Sequence, residues 1–322
     1  DINTTIPLFN LGAAGTSNIG NLQGNALALR GSLSIAASCI FDANGLNVSV
    51  AGNFSNANTD ATAGTATGGY QPGSAVQTTT LNGSSAHQSI TGTSGNLTNF
   101  ANLVVNNLFT AGVVTLQPNT NVRVNGNLTL LAGTLAGVAN TVTVLGTVSN
   151  SSTHTSTTGS ITLAGSAGAQ FITGNGSGKF GNVTLTNTGG AYFGANQEIT
   201  GTLTFSSSGS LLINSYALVL SNTSLTSIVG ASASRYIITS GNLSDGGITK
   251  SFASGASGSF IYPIGVSGKY TPADYTMTTG TGGTVTIRPV NSKHPNATGT
   301  GTAYLRYYWK VATSGISFTS LT

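Results

Sequence analysis

The chain has 322 residues, of which 39% are hydrophobic, so it is long and apolar enough to bury a substantial core. Only 5% of its residues are charged and no apolar run has the length of a membrane span, which excludes charge-rich disorder and predicts no membrane insertion. The net charge of +4 is too sparse for nucleic acid, which requires a dense basic stripe.

The N-terminal segment DINTTIPLFN lacks the basic and apolar regions of a signal peptide, so the chain is either cytosolic or already processed, and the composition favours processing. Cys39 is the single cysteine, and we expect it to be a small buried hydrophobe rather than a reactive thiol. Abundant Gly, Thr, Ser and Asn predict many short strands joined by tight turns, because Gly and Asn adopt the positive φ that turns require.

Similar segments recur along the chain at intervals of roughly 80 residues. TLNGSSAHQSITG at residues 80–92 resembles TLAGSAGAQFITG at 162–174, and VSVAGNFSN at 48–56 resembles VTVLGTVSN at 142–150. Strand-sized pieces lie between turn residues at 103–105, 113–116, 122–124, 128–130, 142–144 and 161–163. We therefore predict a parallel β-solenoid over residues 1–250, with three loose repeats.

The lack of charge also fits a solenoid. Each strand lies about 4.8 Å from its counterpart in the next coil, so charges would stack on like charges. Such contacts cost about 1 kcal/mol per pair, whereas stacked Thr, Asn and Ser side chains hydrogen-bond along the ladder.

From residue 250 onward the composition changes, with six basic residues against Asp274 alone. We predict a smaller antiparallel β-sandwich over residues 251–322, with strands in SFIYPIG, DYTMTT, TVTIRPV, YLRYYWKV and ISFTSLT. Because the sequence ends within strand-like SFTSLT, we expect the natural polypeptide to continue.

Within YLRYYWKV, a strand alternation predicts two faces. Leu305, Tyr307, Trp309 and Val311 would face the core. The outward set is the candidate contact surface: Tyr304, Arg306, Tyr308 and Lys310. Aromatic and cationic side chains together stack on sugars or meet an acidic partner, and they are also typical of an interface with a further domain, so both alternatives stay open.

Three sequence patterns carry a resemblance. They are F-x-N-L-x-V at residues 100–105, V-x-G-x-L-x-L-x-x-G-x-L at 124–135, and YPIG, YTP, TVTIR and YLRYYWKV within 262–311. Together they resemble the very large repetitive cell-surface proteins of Bacteroidota. The resemblance implies export by type IX secretion, an extracellular or cell-surface location, and a role as an adhesin, including the adhesins of gliding motility, or as a filament.

Few residues suggest chemistry. Asp42 and Asp60 are close enough in sequence for neighbouring coils to bring together, but two solvated turn aspartates are the expected outcome. His87, His154 and His294 lie in polar surroundings, and we expect surface positions rather than zinc ligands. GNGSGKF departs from the phosphate-loop pattern at both ends. We expect no metal and no cofactor.

Three functions fit these patterns. The first is a non-enzymatic structural and adhesive segment, with the solenoid as a stiff spacer. Its partners would be other copies or further domains of the same surface protein, and glycans or surfaces. The second is a self-assembling extracellular fibre subunit. The third is a polysaccharide lyase or hydrolase on a β-helix, which would use Asp42 and Asp60.

Overall fold

The computed structural model describes residues 9–12, 18–58, 68–93, 97–298 and 304–322. The chain is an all-β protein, with no helix among these residues, and consists of a parallel β-solenoid followed by antiparallel strands. No described segment forms a helix with the length and apolarity needed to cross a membrane. Two compact units divide the chain, residues 1–165 and residues 166–322.

The first unit consists of short strands separated by turns. Its described strands are β1 (Phe9–Leu11), β2 (Ile19–Asn21), β3 (Leu27–Leu29), β4 (Leu33–Ile35), β5 (Ile40–Asp42), β6 (Val48–Val50), β7 (Phe54–Asn56), β8 (Tyr70–Gln71), β9 (Thr78–Leu81), β10 (Gln88–Thr91), β11 (Leu97–Phe100), β12 (Asn102–Asn106), β13 (Val113–Leu116), β14 (Asn121–Val124), β15 (Leu128–Ala132), β16 (Thr134–Val138), β17 (Val142–Val144), β18 (Val148–Asn150), β19 (Thr153–Ser156) and β20 (Ile161–Leu163).

These strands form parallel ladders along three faces of the coil. The first face carries β1, β4, β7, β10, β13, β16 and β19 in that order, and the second carries β3, β6, β9, β12, β15 and β18. The third face carries β2, β5 and β8, and separately β11, β14, β17 and β20. From β4 to β20, each strand except β11 therefore pairs with the strand three places earlier, which is the connectivity of a solenoid.

Alternation along each strand places apolar side chains inside the coil. Val142 and Val144 are buried while Thr143 between them is partly exposed, and each stacks on its counterpart in β14 and in β20. Near the N-terminal end, rings fill the interior, with Phe54 5.0 Å from Tyr70 and 5.1 Å from Phe100 between ring centroids. Apolar side chains therefore stack inward from coil to coil, and Cys39 is buried as expected.

Turns between strands are held by asparagine side chains that bond to the next coil. The Asn121 side-chain oxygen accepts a hydrogen bond from the Thr141 amide at 3.0 Å, 20 residues further along. Buried Asn140 donates to the carbonyls of Leu116 and Gln117, both at 3.1 Å. A Cβ at Gly159 would overlap the Asn140 carbonyl oxygen, so this stacked turn requires glycine.

The second unit begins with strands of the same kind. Its described strands are β21 (Gln170–Thr173), β22 (Lys179–Phe180), β23 (Val183–Leu185), β24 (Ala191–Phe193), β25 (Gln197–Ile199), β26 (Leu203–Phe205), β27 (Leu211–Asn214), β28 (Ala217–Leu220), β29 (Ile228–Val229), β30 (Ile237–Thr239), β31 (Gly247–Phe252), β32 (Ser257–Tyr262), β33 (Ile264–Val266), β34 (Lys269–Tyr270), β35 (Ala273–Thr279), β36 (Gly283–Val290), β37 (Tyr308–Ser314) and β38 (Phe318–Leu321).

The change from parallel to antiparallel pairing takes place around β31. This strand pairs parallel with β28 on one side and antiparallel with β36 on the other, and β36 pairs antiparallel with β37. The boundary predicted at residue 250 falls inside β31, and parallel pairing continues to β33, which pairs with β30. One sheet thus carries both kinds of pairing.

A second antiparallel sheet, formed by β32, β35 and β38, packs against the first. Phe260 lies 5.8 Å from Phe252 between ring centroids, and the buried Tyr262 hydroxyl donates to the Val285 carbonyl at 3.1 Å. The predicted small antiparallel sandwich is confirmed, although its second layer is an extension of a solenoid sheet rather than a separate sheet.

Two expectations for the segment YLRYYWKV are wrong. The strand begins at Tyr308, so strand alternation does not apply to residues 304–307. Of the predicted core residues, Leu305, Trp309 and Val311 are 55%, 45% and 46% exposed, and Tyr307 is partly buried. Val311 does lie opposite the buried Ile287, on the core side of the sheet. It is exposed because β37 is the edge strand and no described layer covers its underside.

Candidate ligand-contact surface

The outer face of β36 and β37 places two cations directly opposite each other. Arg288 and Lys310 are cross-strand partners, so their side chains leave the sheet on the same side. Arg288 Nε donates to the Gly246 carbonyl at 3.2 Å, which fixes the guanidinium, and Lys310 is exposed. Tyr308 lies two residues from Lys310 on the same face of the strand.

Aromatic rings extend this basic surface beyond the strand. The His294 and Tyr308 rings lie 4.6 Å apart between centroids, and the His294 amide donates to the Leu305 carbonyl at 3.0 Å. The Tyr304 ring lies 4.7 Å from Lys293 Nζ and 5.0 Å from Arg306 Cζ. A ring face carries partial negative charge, so the one tyrosine attracts both the ammonium and the guanidinium.

We name the resulting surface the cationic strip. It consists of Arg288, Lys293, His294, Tyr304, Arg306, Tyr308 and Lys310. The structure brings all four sequence-predicted contact residues into it, although only Tyr308 and Lys310 lie on the strand.

Sequence reasoning missed Arg288, Lys293 and His294. The alternation of TVTIRPV, with Val285 and Ile287 buried, indicates an outward Arg288, but only the strand pairing places it beside Lys310. Nothing in the sequence pattern indicates that Lys293 reaches Tyr304.

A second aromatic group lies next to β37. Trp309 Nε1 donates to the Thr271 carbonyl at 3.0 Å, and the Thr271 and Tyr307 hydroxyls share a hydrogen bond. Lys269 Nζ lies 5.9 Å from the Tyr307 ring centre and donates to Asn291 Oδ1 at 3.1 Å. These bonds hold the Trp309 and Tyr307 rings in fixed orientations while Trp309 remains partly exposed.

The carboxylates weighed for catalysis do not form a described pair. Asp42 Oδ1 accepts a hydrogen bond from the Asn44 amide at 2.7 Å, the bond of an ordinary aspartate turn. Asp42 also lines an open cavity of about 420 Å³, together with Gln71, Pro72, Gly73, Ser74, Ala75, Ala101 and Asn125. Asp60 lies outside the described residues, so the proposed pairing stays a prediction.

One histidine prediction is wrong. His87 is exposed, but His154 is fully buried, because it stacks on the core residue Leu135 in the inward column of the first face. Burial lowers the pKa of His154 to about 4, since the charged imidazole loses its hydration. Within the described residues, no group of three or more His, Cys, Asp and Glu side chains could hold a metal ion.

The second unit also buries a lysine. Lys250 in β31 is inaccessible to solvent, and its ammonium donates to the carbonyls of Asn222 and Ser251, the latter at 2.6 Å. The Phe252 and Phe260 ring centres lie 4.9 and 5.2 Å from Nζ. Burial lowers the pKa of Lys250 to about 8.

Comparison with known proteins found no matching family model, no matching curated protein and no matching solved structure.

Proposed function

We propose that this chain is a non-enzymatic structural and adhesive segment of a long extracellular surface protein, in which the solenoid is a stiff spacer and the C-terminal strands carry the contact surface. One observation supports the spacer role above the others. Within the described part of each unit, most outer rungs are uncharged, such as Thr143 on Thr162 in the first unit and Thr184 on Thr204 in the second, and most inner rungs are apolar.

Stiffness follows from the way each coil is held. A coil bonds to its neighbours through backbone ladders on all three faces and through asparagine side chains at the turns, such as Asn127 accepting from the Thr147 amide at 2.9 Å. Bending a ladder would break these bonds on one side, and each contributes about 1 kcal/mol. Such a segment transmits force and keeps a binding module away from its anchor.

The adhesive role is supported by the cationic strip and by the exposed Trp309 beside it. Exposed aromatic and arginine side chains are enriched where proteins contact partners. The candidate partners are further domains or copies of the same surface protein, and glycans or surfaces.

Immunogold labelling of intact cells that produce the protein tests this proposal. An antibody raised against residues 166–322 should label the outer surface before permeabilisation, and cells lacking the gene provide the control. Label that appears only after permeabilisation would contradict the extracellular assignment. Adhesion of the same cells is then measured with and without a monovalent fragment of this antibody. Reduced adhesion indicates an adhesive segment, and unchanged adhesion indicates a passive spacer.

A second candidate function, a self-assembling fibre subunit, is favoured by the edge strand β37. Seven residues long, it has a free edge in the described part of the sheet, with Trp309 and Val311 exposed on the core side. Edges of this kind pair with strands of other chains. Electron microscopy of purified protein should then show filaments that lengthen with concentration and are lost with Val311→Pro. A monomer at every concentration would contradict the fibre.

A further inference from the structure

The cationic strip holds an arrangement that costs free energy in the isolated chain. Arg288 and Lys310 are directly opposite on one face of an antiparallel pair, where like charges repel. Arg306 and Lys293 both lie against the ring of Tyr304, which gathers a second pair of cations around one side chain. An anion bound over Arg288 and Lys310 would relieve their repulsion, and at either pair it would form charge-assisted hydrogen bonds.

The carboxylates of a second copy are poorly suited to fill this role. Among the described acidic residues, Glu198 forms an ion pair with Lys179 at 3.2 Å and Asp245 is buried. Asp42 accepts a bond from its own turn, and Asp274 is a single exposed carboxylate. The described surface of this chain therefore has no acidic cluster to match the cationic strip.

The composition of the strip also differs from a typical protein interface. The central part of a protein interface is depleted of charge and rich in apolar side chains. The cationic strip has four cations, two tyrosines and a histidine, and Leu305 is the one aliphatic residue within 304–310. Repeated cations on a rigid strand, with ring faces between them, match a chain of anionic sugars, whose charges repeat and whose C–H faces pack on aromatic rings.

We propose that the cationic strip binds an anionic polysaccharide that carries carboxylate or sulfate groups. Arg288 and Lys310 contact one anionic group, Lys293 and Arg306 contact another, and Tyr308 packs against the sugar between them. This inference deepens the proposed adhesive function and rests on it, because it names the partner of the same surface.

Titration of the full chain with polygalacturonate tests the proposal, with neutral dextran, dextran sulfate and poly-glutamate as comparison ligands. We expect saturable binding of polygalacturonate, dextran sulfate or both, weakening as salt rises, and no binding of neutral dextran. Arg306→Gln/Lys310→Gln should weaken this binding about tenfold or more, because it removes one cation from each pair. Tyr304→Leu, which changes no charge, should weaken it about threefold by releasing Lys293 and Arg306.

The matched control is Arg123→Gln/Lys179→Gln, which removes the same two residue types from outside the strip. It lowers the net charge by the same amount as the first double variant but leaves the cationic strip intact. It should therefore keep the affinity for the glycan within about twofold of the wild type. Equal weakening by both variants, or no binding of either polyanionic glycan, would overturn the proposal. So would poly-glutamate binding as tightly through the same residues, which would identify an acidic polypeptide as the partner. Surface labelling of cells is independent of all these results, so failure here leaves the spacer proposal separately testable.

Discussion

His154 is a buried base whose neutral form the fold requires. Its pKa is about 4 in the folded chain against 6.5 for an exposed imidazole. Between pH 6.5 and 4 the unfolded chain therefore binds a proton that the folded chain does not, so stability falls as pH falls. The full loss is about 3 kcal/mol, reached near pH 4.

The variant His154→Gln should remove this pH dependence from the first unit. Denaturant unfolding at pH 7, 5 and 4, followed by circular dichroism, would measure it. His87→Gln serves as the control, because it removes an exposed imidazole from the same unit. A wild-type stability that stays flat from pH 7 to 4 would show that His154 protonates without cost.

Lys250 gives a pH dependence of the same sign in a more alkaline range. Its folded pKa of about 8 lies below the ordinary 10.5, so between these values the unfolded chain holds more protons and stability rises with pH. Below pH 8 both states are protonated and the full cost of burying the charge remains.

Unfolding of the wild type and of Lys250→Met at pH 7.5 and 9.5 would test this pH dependence of the stability. The wild type should gain on the order of 2 kcal/mol over this range relative to the variant, which has no charge to bury. Comparing the two cancels the contribution of tyrosine ionisation. An identical pH response of wild type and Lys250→Met would refute the buried-charge account.

At the scale of the strand ladder, the lack of charge on outer rungs is a stacking requirement. Thr129 of β15 and Ser149 of β18 are register partners on adjacent coils. Thr129→Asp/Ser149→Asp should be about 1 kcal/mol less stable than the sum of its single variants, because the carboxylates lie one ladder step apart. Thr129→Asp/Ser149→Lys should show no such penalty. Thermal or denaturant unfolding of the wild type, the single variants and both double variants measures the coupling free energy between the two positions.

The control for this double-mutant cycle is a pair of residues that lie in the same sheet but do not contact each other. Ser49 of β6 and Ser149 lie on the same face, with β9, β12 and β15 between their strands. Aspartates at these two positions should be additive. Equal coupling in both pairs would mean that general charge repulsion, rather than stacking, limits charge in this chain.

At the scale of the whole solenoid unit, we expect each coil to be stabilised mainly by the coils next to it. Leu130 is buried and stacks between Val105 and Asn150, so Leu130→Ala should cost about 2–5 kcal/mol. Hydrogen exchange should show the largest loss of protection in the adjacent strands β12 and β18, and a smaller one in β3 and β6.

The neighbouring residue provides the control for this prediction. Leu131 points outward and is 53% exposed, so Leu131→Ala should change protection little. Uniform loss of protection across the first unit after Leu130→Ala would instead show that its coils unfold as one cooperative block.

The sequence by itself determined the coil and its strands. Strands predicted at 142–144 and 161–163 coincide with β17 and β20, because period-two alternation between turn residues is a local property. Low charge and the change in composition near residue 250 likewise indicated a neutral stack that ends in antiparallel strands. These features depend on each segment's own residues and need no knowledge of its neighbours.

Tertiary structure decided which face each segment occupies. The similar segments at 48–56 and 142–150 lie on different faces, since β6 belongs to the second face and β17 to the third. All three faces require the same pattern of apolar residues inside and polar residues outside, so local sequence cannot distinguish them. The recurring unit in the structure is therefore a strand and turn rather than a fixed position in the coil.

The burial of individual side chains and the contacts between them likewise depend on strand register and on position in the sheet. His154 is buried because its strand stacks in register with Leu135, and Val311 is exposed because its strand is the edge. The cationic strip arises because antiparallel pairing sets Arg288 opposite Lys310, and because a loop carries Lys293 to Tyr304. Residues far apart in sequence are brought together by the register of paired strands. That register depends on interactions summed over whole strands, which no local sequence pattern encodes.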